Sequence, residues 1–417
     1  MKLLNIDGKL FQEREKDIAS YQEKISKAHS HLHGNRLISL DPDFSMTGWV
    51  DNDNTCNESF LNKIIYYANK VQKNTTALVV LGIGGSFLGT KACIDTLKDS
   101  CNKSVKIFYG GWNLSASYHK SLLEKLENEE ISLCVVSKSG KTMETTIAFQ
   151  LLKEFMAKKY PKGFSHRIYV VTDKNRGALK DEADKNNYTM FPLDDNIGGR
   201  YSVLTAVGLF PMAVAGLDIK KIMSGAKKAK IDFSTEDLSE NKCYQYAVLR
   251  NILYNEGKYI ELFSTMEPHM QGFSQWLKQL FGESEGKDKK GILPVCVNYS
   301  ADLHSVGQFF QEGNPLFFES LITAKNSDVD LDITFQGKTY RELNEIVYHA
   351  VANVREENGT PVFRFEMNAL DELSLGYIIY FFEKACAMCC LIQGINPFNQ
   401  PGVEIYKSET IQMLKEK

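Results

Sequence analysis

The sequence predicts an α/β protein of two units, each a mainly parallel sheet sandwiched by helices. Three observations carry that expectation. Short apolar runs recur along the chain, with helix-patterned stretches filling most of the gaps. The runs lack polar alternation, as expected of strands covered on both faces. At ordinary domain sizes of about 100–200 residues, a chain of 417 residues makes two or three packed units.

Phe11–His33 has apolar residues at helical spacing (Ile18, Tyr21, Ile25, Ala28), which predicts one amphipathic helix ending at Gly34. Asp41–Asn57 is polar and turn-rich, a lead-in to the main body. A first series of strand-like runs follows at Ala77–Leu81, Val105–Tyr109, Ile131–Val136, Arg167–Thr172 and Thr189–Pro192. A second lies at Tyr259–Phe263, Ile292–Val297, Leu316–Leu321 and Pro361–Phe365, with helices expected over Gln271–Phe281 and Arg341–Val354. The chain closes with helical patterns over Asp371–Gly394 and around Val403–Lys415. The expected division is a helical segment over 1–60, α/β domains over 61–216 and 217–369, and helices over 370–417. The two domains part near Gly216–Asp232, and no residue-level repeat relates them.

Hydrophobic residues make up 43% of the chain and charged residues 24%, ordinary for a soluble protein. Lys and Arg total 49 against 52 Asp and Glu, so nothing suggests nucleic acid or an anionic membrane as partner. Any anion site must be built locally. Asp7, Lys9 and Glu13 interrupt the apolar character of the amino terminus, which does not read as a secretory signal. The longest apolar stretch, Tyr377–Ile392, holds Glu383 and Lys384 at its centre and reads as a buried helix, not a membrane span. Nine scattered cysteines, an odd number, are expected as free thiols in a reducing cytoplasm. His29, His31 and His33 alternate, which scatters them around a helix and disfavours a metal site. Cys386 and Cys389 form a CxxC but lie with Cys390 in the apolar helix pattern, where core packing is expected.

Six stretches carry chemistry. In Leu78–Gly89 a strand runs into Gly82, Gly84, Gly85 and Ser86 and then a helix, a place where backbone and helix dipole suit an anion. Phe87 stands where a dinucleotide fingerprint needs glycine. In Val136–Thr145, Ser137, Ser139 and Thr142 supply hydroxyls and Lys138 a charge. Val135 occupies the place of the first P-loop glycine, which disfavours an NTP-using enzyme. Two such loops ending neighbouring strands suggest one shared pocket. In Asp194–Ser202, Gly198 and Gly199 leave room beside Arg200, a permanent cation able to stabilise a developing oxyanion. In Phe281–Lys287, Glu283 sits in a glycine-flanked turn, where a held carboxylate could accept a carbon-bound proton. Asp302–Gly313 holds His304, a candidate acid–base group, and Asn396–Lys407 sets Gln400 and Lys407 around a Pro-Gly turn before the last helix. Each also has a plain reading as a capped helix start, a solvated loop or an acidic turn.

Taken in order, GIGGS, SKSG-x-T-x-E, NIGGRYS, GESEGKD, LHS-x-GQ and FNQPGVE-x-x-K resemble the phosphoglucose isomerase family, particularly its shorter bacterial members, from Gly82 to Lys407. The resemblance implies two sugar-isomerase-type (SIS) domains and an enzyme without metal or other cofactor. It implies reversible isomerisation of glucose 6-phosphate and fructose 6-phosphate by ring opening and a cis-enediolate. Ser86, Ser137, Lys138, Ser139 and Thr142 match the phosphate-binding positions, with Gly84 and Gly85 among the substrate-binding ones and Glu144 and Gln400 as supporting ones. Glu283 matches the base, Arg200 the enediolate stabiliser, and His304 with Lys407 the ring-opening pair. The histidine would come from the partner of a homodimer. Lys141 departs from the family pattern, which has threonine there. Alternatives are a regulatory sugar-phosphate-binding protein on the same domain type, or an isomerase of another hexose phosphate.

Overall fold

The computed structural model describes residues 2–34, 45–51, 56–97, 101, 105–326, 330–331 and 335–416, so part of the Asp41–Asn57 lead-in lies outside the described residues. The strands are β1 (Leu4–Asp7), β2 (Ala77–Leu81), β3 (Lys106–Gly110), β4 (Ile131–Val136), β5 (Ile168–Asp173), β6 (Thr189–Leu193), β7 (Ile260–Thr265), β8 (Leu293–Asn298), β9 (Phe317–Asn326) and β10 (Val362–Ala369).

β2 to β6 form one parallel sheet in the order β3-β2-β4-β5-β6. The second sheet runs β8-β7-β9-β10, also parallel, with β1 antiparallel on the β10 edge. The two orders are the same from the first four strands of each unit, a duplication of topology that no residue repeat announces. In both sheets the chain goes first to one side of the opening strand and then to the other. That reversal opens a crevice beyond the carboxyl ends of β2 and β4, where ligands bind in open α/β sheets. β2, β4 and β5 are buried along their whole length, which explains their unbroken apolar runs.

All nine expected runs pair as strands, their ends shifted most at β9 and β10. β1 went unread in the expected helical segment because its Leu-Asn-Ile-Asp alternation spans only four residues. The single Phe11–His33 helix is instead three pieces, Leu10–Glu13, Glu15–Ala19 and Gln22–Leu32. The Ser20 hydroxyl donates to the Asp17 carbonyl, and the Gln22 side chain bonds the backbone of Glu236 and Leu238, so local polar bonds turn the chain. His29 and His33 are not scattered: four residues apart, they share a helix face with ring centroids 4.3 Å apart.

Glu372–Ile392 is long and apolar enough to cross a membrane, yet it is buried within the protein. It packs against Ile219–Asp232, Lys242–Asn255, Gln22–Leu32 and Gln271–Glu285. Ile219–Asp232, where the sequence reading parts the two units, is thus itself a packed helix. Cys386, Cys389 and Cys390 are buried on that central helix, and all nine cysteines are free thiols.

Candidate active site

After β2 the chain makes a 3₁₀ turn over Gly84–Ser86 and enters the helix Leu88–Thr96. Gly84 has φ +57°, a conformation that side chains other than glycine resist. A Cβ on Gly85 would lie 2.2 Å from the carbonyl oxygen of Gly199. The two glycines therefore let this turn lie directly on the Gly199–Tyr201 turn, which carries Arg200.

After β4 comes the hydroxyl-rich loop. Ser137 Oγ accepts from the Gly140 amide at 3.1 Å, and Ser139 Oγ accepts from the Lys141 amide at 3.2 Å. Each hydroxyl keeps its proton to donate. Thr142 caps the helix Met143–Lys159 in position only, without a side-chain bond to the first turn. Elsewhere Asn57, Ser115, Asp218, Asn241, Thr339 and Asp371 make that bond. The dipole end above Ser137 and Ser139 is thus open to an anion. Glu144 is half-buried in the first turn, and Lys141 is exposed.

Lys138 does not stand free as an anion-binding charge. Its ammonium donates to the carbonyls of Asp195 at 2.7 Å and Ile197 at 3.2 Å, and burial lowers its pKa. It ties the hydroxyl loop to the segment leading into Arg200.

Arg200 is buried, and each of its nitrogens is engaged. Nε donates to Ser284 Oγ at 2.8 Å, Nη1 to Gln400 Oε1 at 2.9 Å, and Nη2 to the carbonyls of Pro397 and Asn399 at 2.6 and 3.0 Å. Nη1 also lies 3.3 Å from Glu283 Oε2. The same carboxylate oxygen accepts from Gln279 Nε2 at 3.1 Å. Glu283 lies in the last turn of the helix Gln271–Glu285, not in the turn beyond it as expected. That end of the helix is held by the wholly buried Arg250, which ion-pairs with Glu261 on β7 and with Glu285.

A family model of phosphoglucose isomerase matches residues 33–321. The chain belongs to the phosphoglucose isomerase family. It is 42% identical over 412 residues to a glucose-6-phosphate isomerase of Alkaliphilus metalliredigens, covering 93% of this chain and 90% of the relative. It is 44% identical over 412 residues to one of Exiguobacterium sibiricum, covering 94% and 91%. Among solved structures, a hypothetical protein of Thermus thermophilus matches with TM-score 0.90 and 25% identity over 99% of both chains. A glucose-6-phosphate isomerase of Chlamydia trachomatis matches with TM-score 0.84 and 19% identity, covering 100% of this chain and 89% of that one, which speaks for the fold alone.

Within this phosphoglucose isomerase fold the structure brings together Gly84, Gly85, Arg200, Glu283 and Gln400, and ties the Ser137–Thr142 loop to them through Lys138. It does not bring His304 there. His304 ends an exposed 3₁₀ turn, Ala301–His304, beyond β8 on the second sheet. Lys407 lies on the exposed helix Pro401–Lys415 and pairs with Glu404 at 2.6 Å. Sequence reasoning missed Gln279 and Ser284. Gln279 stands one helical turn before Glu283, but ending that helix at Phe281 hid the spacing. Ser284 gave no signal beyond its place in the motif.

Proposed function

We propose that the chain interconverts glucose 6-phosphate and fructose 6-phosphate in the cytoplasm, with Glu283 moving the proton between the first two sugar carbons. The observation that carries this reading is Arg200 at 3.3 Å from Glu283 Oε2, in a turn that rests on Gly85. Ser86, Ser137, Ser139 and Thr142, with the open start of the Met143–Lys159 helix, hold the phosphate. Glu144 lies in the first turn of that helix and supports the loop. Gly84 and Gly85 let the Ser86 turn close onto the Arg200 turn and the Gln279 side chain, so that phosphate loop and base share one substrate-binding site. Glu283 Oε1 takes the carbon-bound proton, and Arg200 stabilises the enediolate oxygen as charge develops. Gln400 and Gln279 keep the guanidinium and the carboxylate from drifting. A fixed cation supplies the stabilisation, so the residues need neither a redox cofactor nor a metal.

His304 reaches this site from a second copy of the chain, with Lys407 assisting ring opening. An exposed histidine on the second sheet supports a homodimer. Nine free thiols suit a reducing compartment. A coupled assay tests the function: fructose 6-phosphate in, glucose 6-phosphate detected, with chelator present. Activity that survives chelation is expected; absence of conversion under every condition would refute the reading.

A further inference from the structure

Two cations, not one, grip the loop that carries Gln400. Arg200 holds the carbonyls of Pro397 and Asn399. Next to it, Lys287 Nζ donates to the carbonyl of Asn396 at 2.5 Å and to that of Ser284 at 2.7 Å. Ser284 follows Glu283 in the last turn of the base helix, and its hydroxyl receives Arg200 Nε. One ammonium therefore bridges the end of the base helix and the start of the Gln400 loop. Asn396 and Phe398 in that loop are buried, and Phe398 packs on the ring of Tyr201. The loop is seated where its carbonyls can meet both cations.

We propose that Lys287 is a positioning residue for proton transfer, fixing the Gln400 loop against the helix turn that presents Glu283. The inference rests on the isomerase reading above. Its physical basis is that a charge-assisted bond to a carbonyl is roughly twice as strong as a neutral one. The groups facing this ammonium are Glu283 from the helix it follows, Arg200 from the neighbouring turn, and Cys386 and Cys390 from Glu372–Ile392; the Gln400 loop offers carbonyls. Burial, reinforced by the neighbouring Arg200, brings the lysine down to about 8. Below that pH the clamp is charged; above it the amine is neutral and the bonds weaken.

The test is the pH profile of kcat for fructose 6-phosphate isomerisation. Wild type should lose kcat on the alkaline side with a midpoint near 8. Lys287→Arg should keep the neutral activity and carry that limb to higher pH, because guanidinium does not titrate there. Lys287→Met should lower kcat about ten- to a hundredfold, as small misplacements of reacting groups do, with KM nearly unchanged and the limb gone. A Met variant that folds and keeps wild-type kcat overturns the proposal. So does a wild-type kcat that stays flat through the alkaline range, a result that stands even where the Met variant fails to fold. Wild type inactive at every pH would instead refute the isomerase reading itself.

Discussion

Both contacts described for the Glu283 carboxylate, the Arg200 ion pair and the Gln279 hydrogen bond, fall on Oε2. In the proposed mechanism that asymmetry holds Oε2 in place and leaves Oε1 to take the proton. Glu283→Gln should preserve sugar-phosphate binding and cut turnover by about 10²–10⁴-fold, the usual worth of a positioned general base; inhibitor binding and kcat, measured together, check both halves. Ser139→Ala should raise KM with kcat little changed, since its hydroxyl accepts from the Lys141 amide and its proposed role is to hold the phosphate, not to take part in proton transfer. An unchanged KM would remove Ser139 from the phosphate loop. Glu383 is a different case. It is wholly buried on the central helix, with neither carboxyl oxygen partnered among the described residues, and burial raises its pKa well above the ordinary value. Burial therefore favours its neutral form in the folded protein. Its contribution to stability is full below the unfolded pKa of about 4.3 and is lost as pH rises toward the folded value. Glu383→Gln, unable to ionise, should be more stable than wild type at pH 7 and lose that advantage towards pH 4. Urea unfolding at the two pH values decides; an equal difference at both would argue against it.

Equivalent helix starts in the two units are capped differently. Thr339 and Glu342 form a reciprocal capping box at the helix Tyr340–Glu357. Thr142, at the corresponding step of the first unit, makes no such bond. Thr339→Ala should cost about 1 kcal/mol of stability. Thr142→Ala should cost little stability and raise KM. Urea unfolding set beside kinetics separates the two effects. The strand-to-helix turns were legible as sequence because glycine and hydroxyl residues are needed there for backbone reasons. The helix end at Glu285 was not, since glycines at 282 and 286 read as a stop whereas Arg250 holds the helix through Glu285.

The whole molecule repeats one strand order in two sheets, and the candidate site draws on both units: the Gly84–Ser86, Ser137–Thr142 and Arg200 turns come from the first, and Glu283 from the helix between β7 and β8 of the second. His304 is exposed beyond β8, and the proposed dimer, in which it serves the Glu283 of a second copy, can be tested directly. Glu283→Gln and His304→Ala should each be nearly inactive alone. Mixed and re-assembled, half the dimers are hybrid and each hybrid has one intact site, so activity should recover to about a quarter of wild type. No recovery from verified hybrids would place both residues in one subunit.

Apolar runs, glycine turns and hydroxyl loops were readable from the amino acids alone, because each follows from what a single backbone segment requires. So were the family and the candidate base, through short motifs kept in order along the chain. Folding decided the rest. Gln279 and Ser284 join the site through a helix end held by a buried ion pair, and Lys138 and Lys287 spend their charges on carbonyls from distant segments. A side chain's partner across space depends on how elements pack, and spacing along one strand or helix carries no record of that.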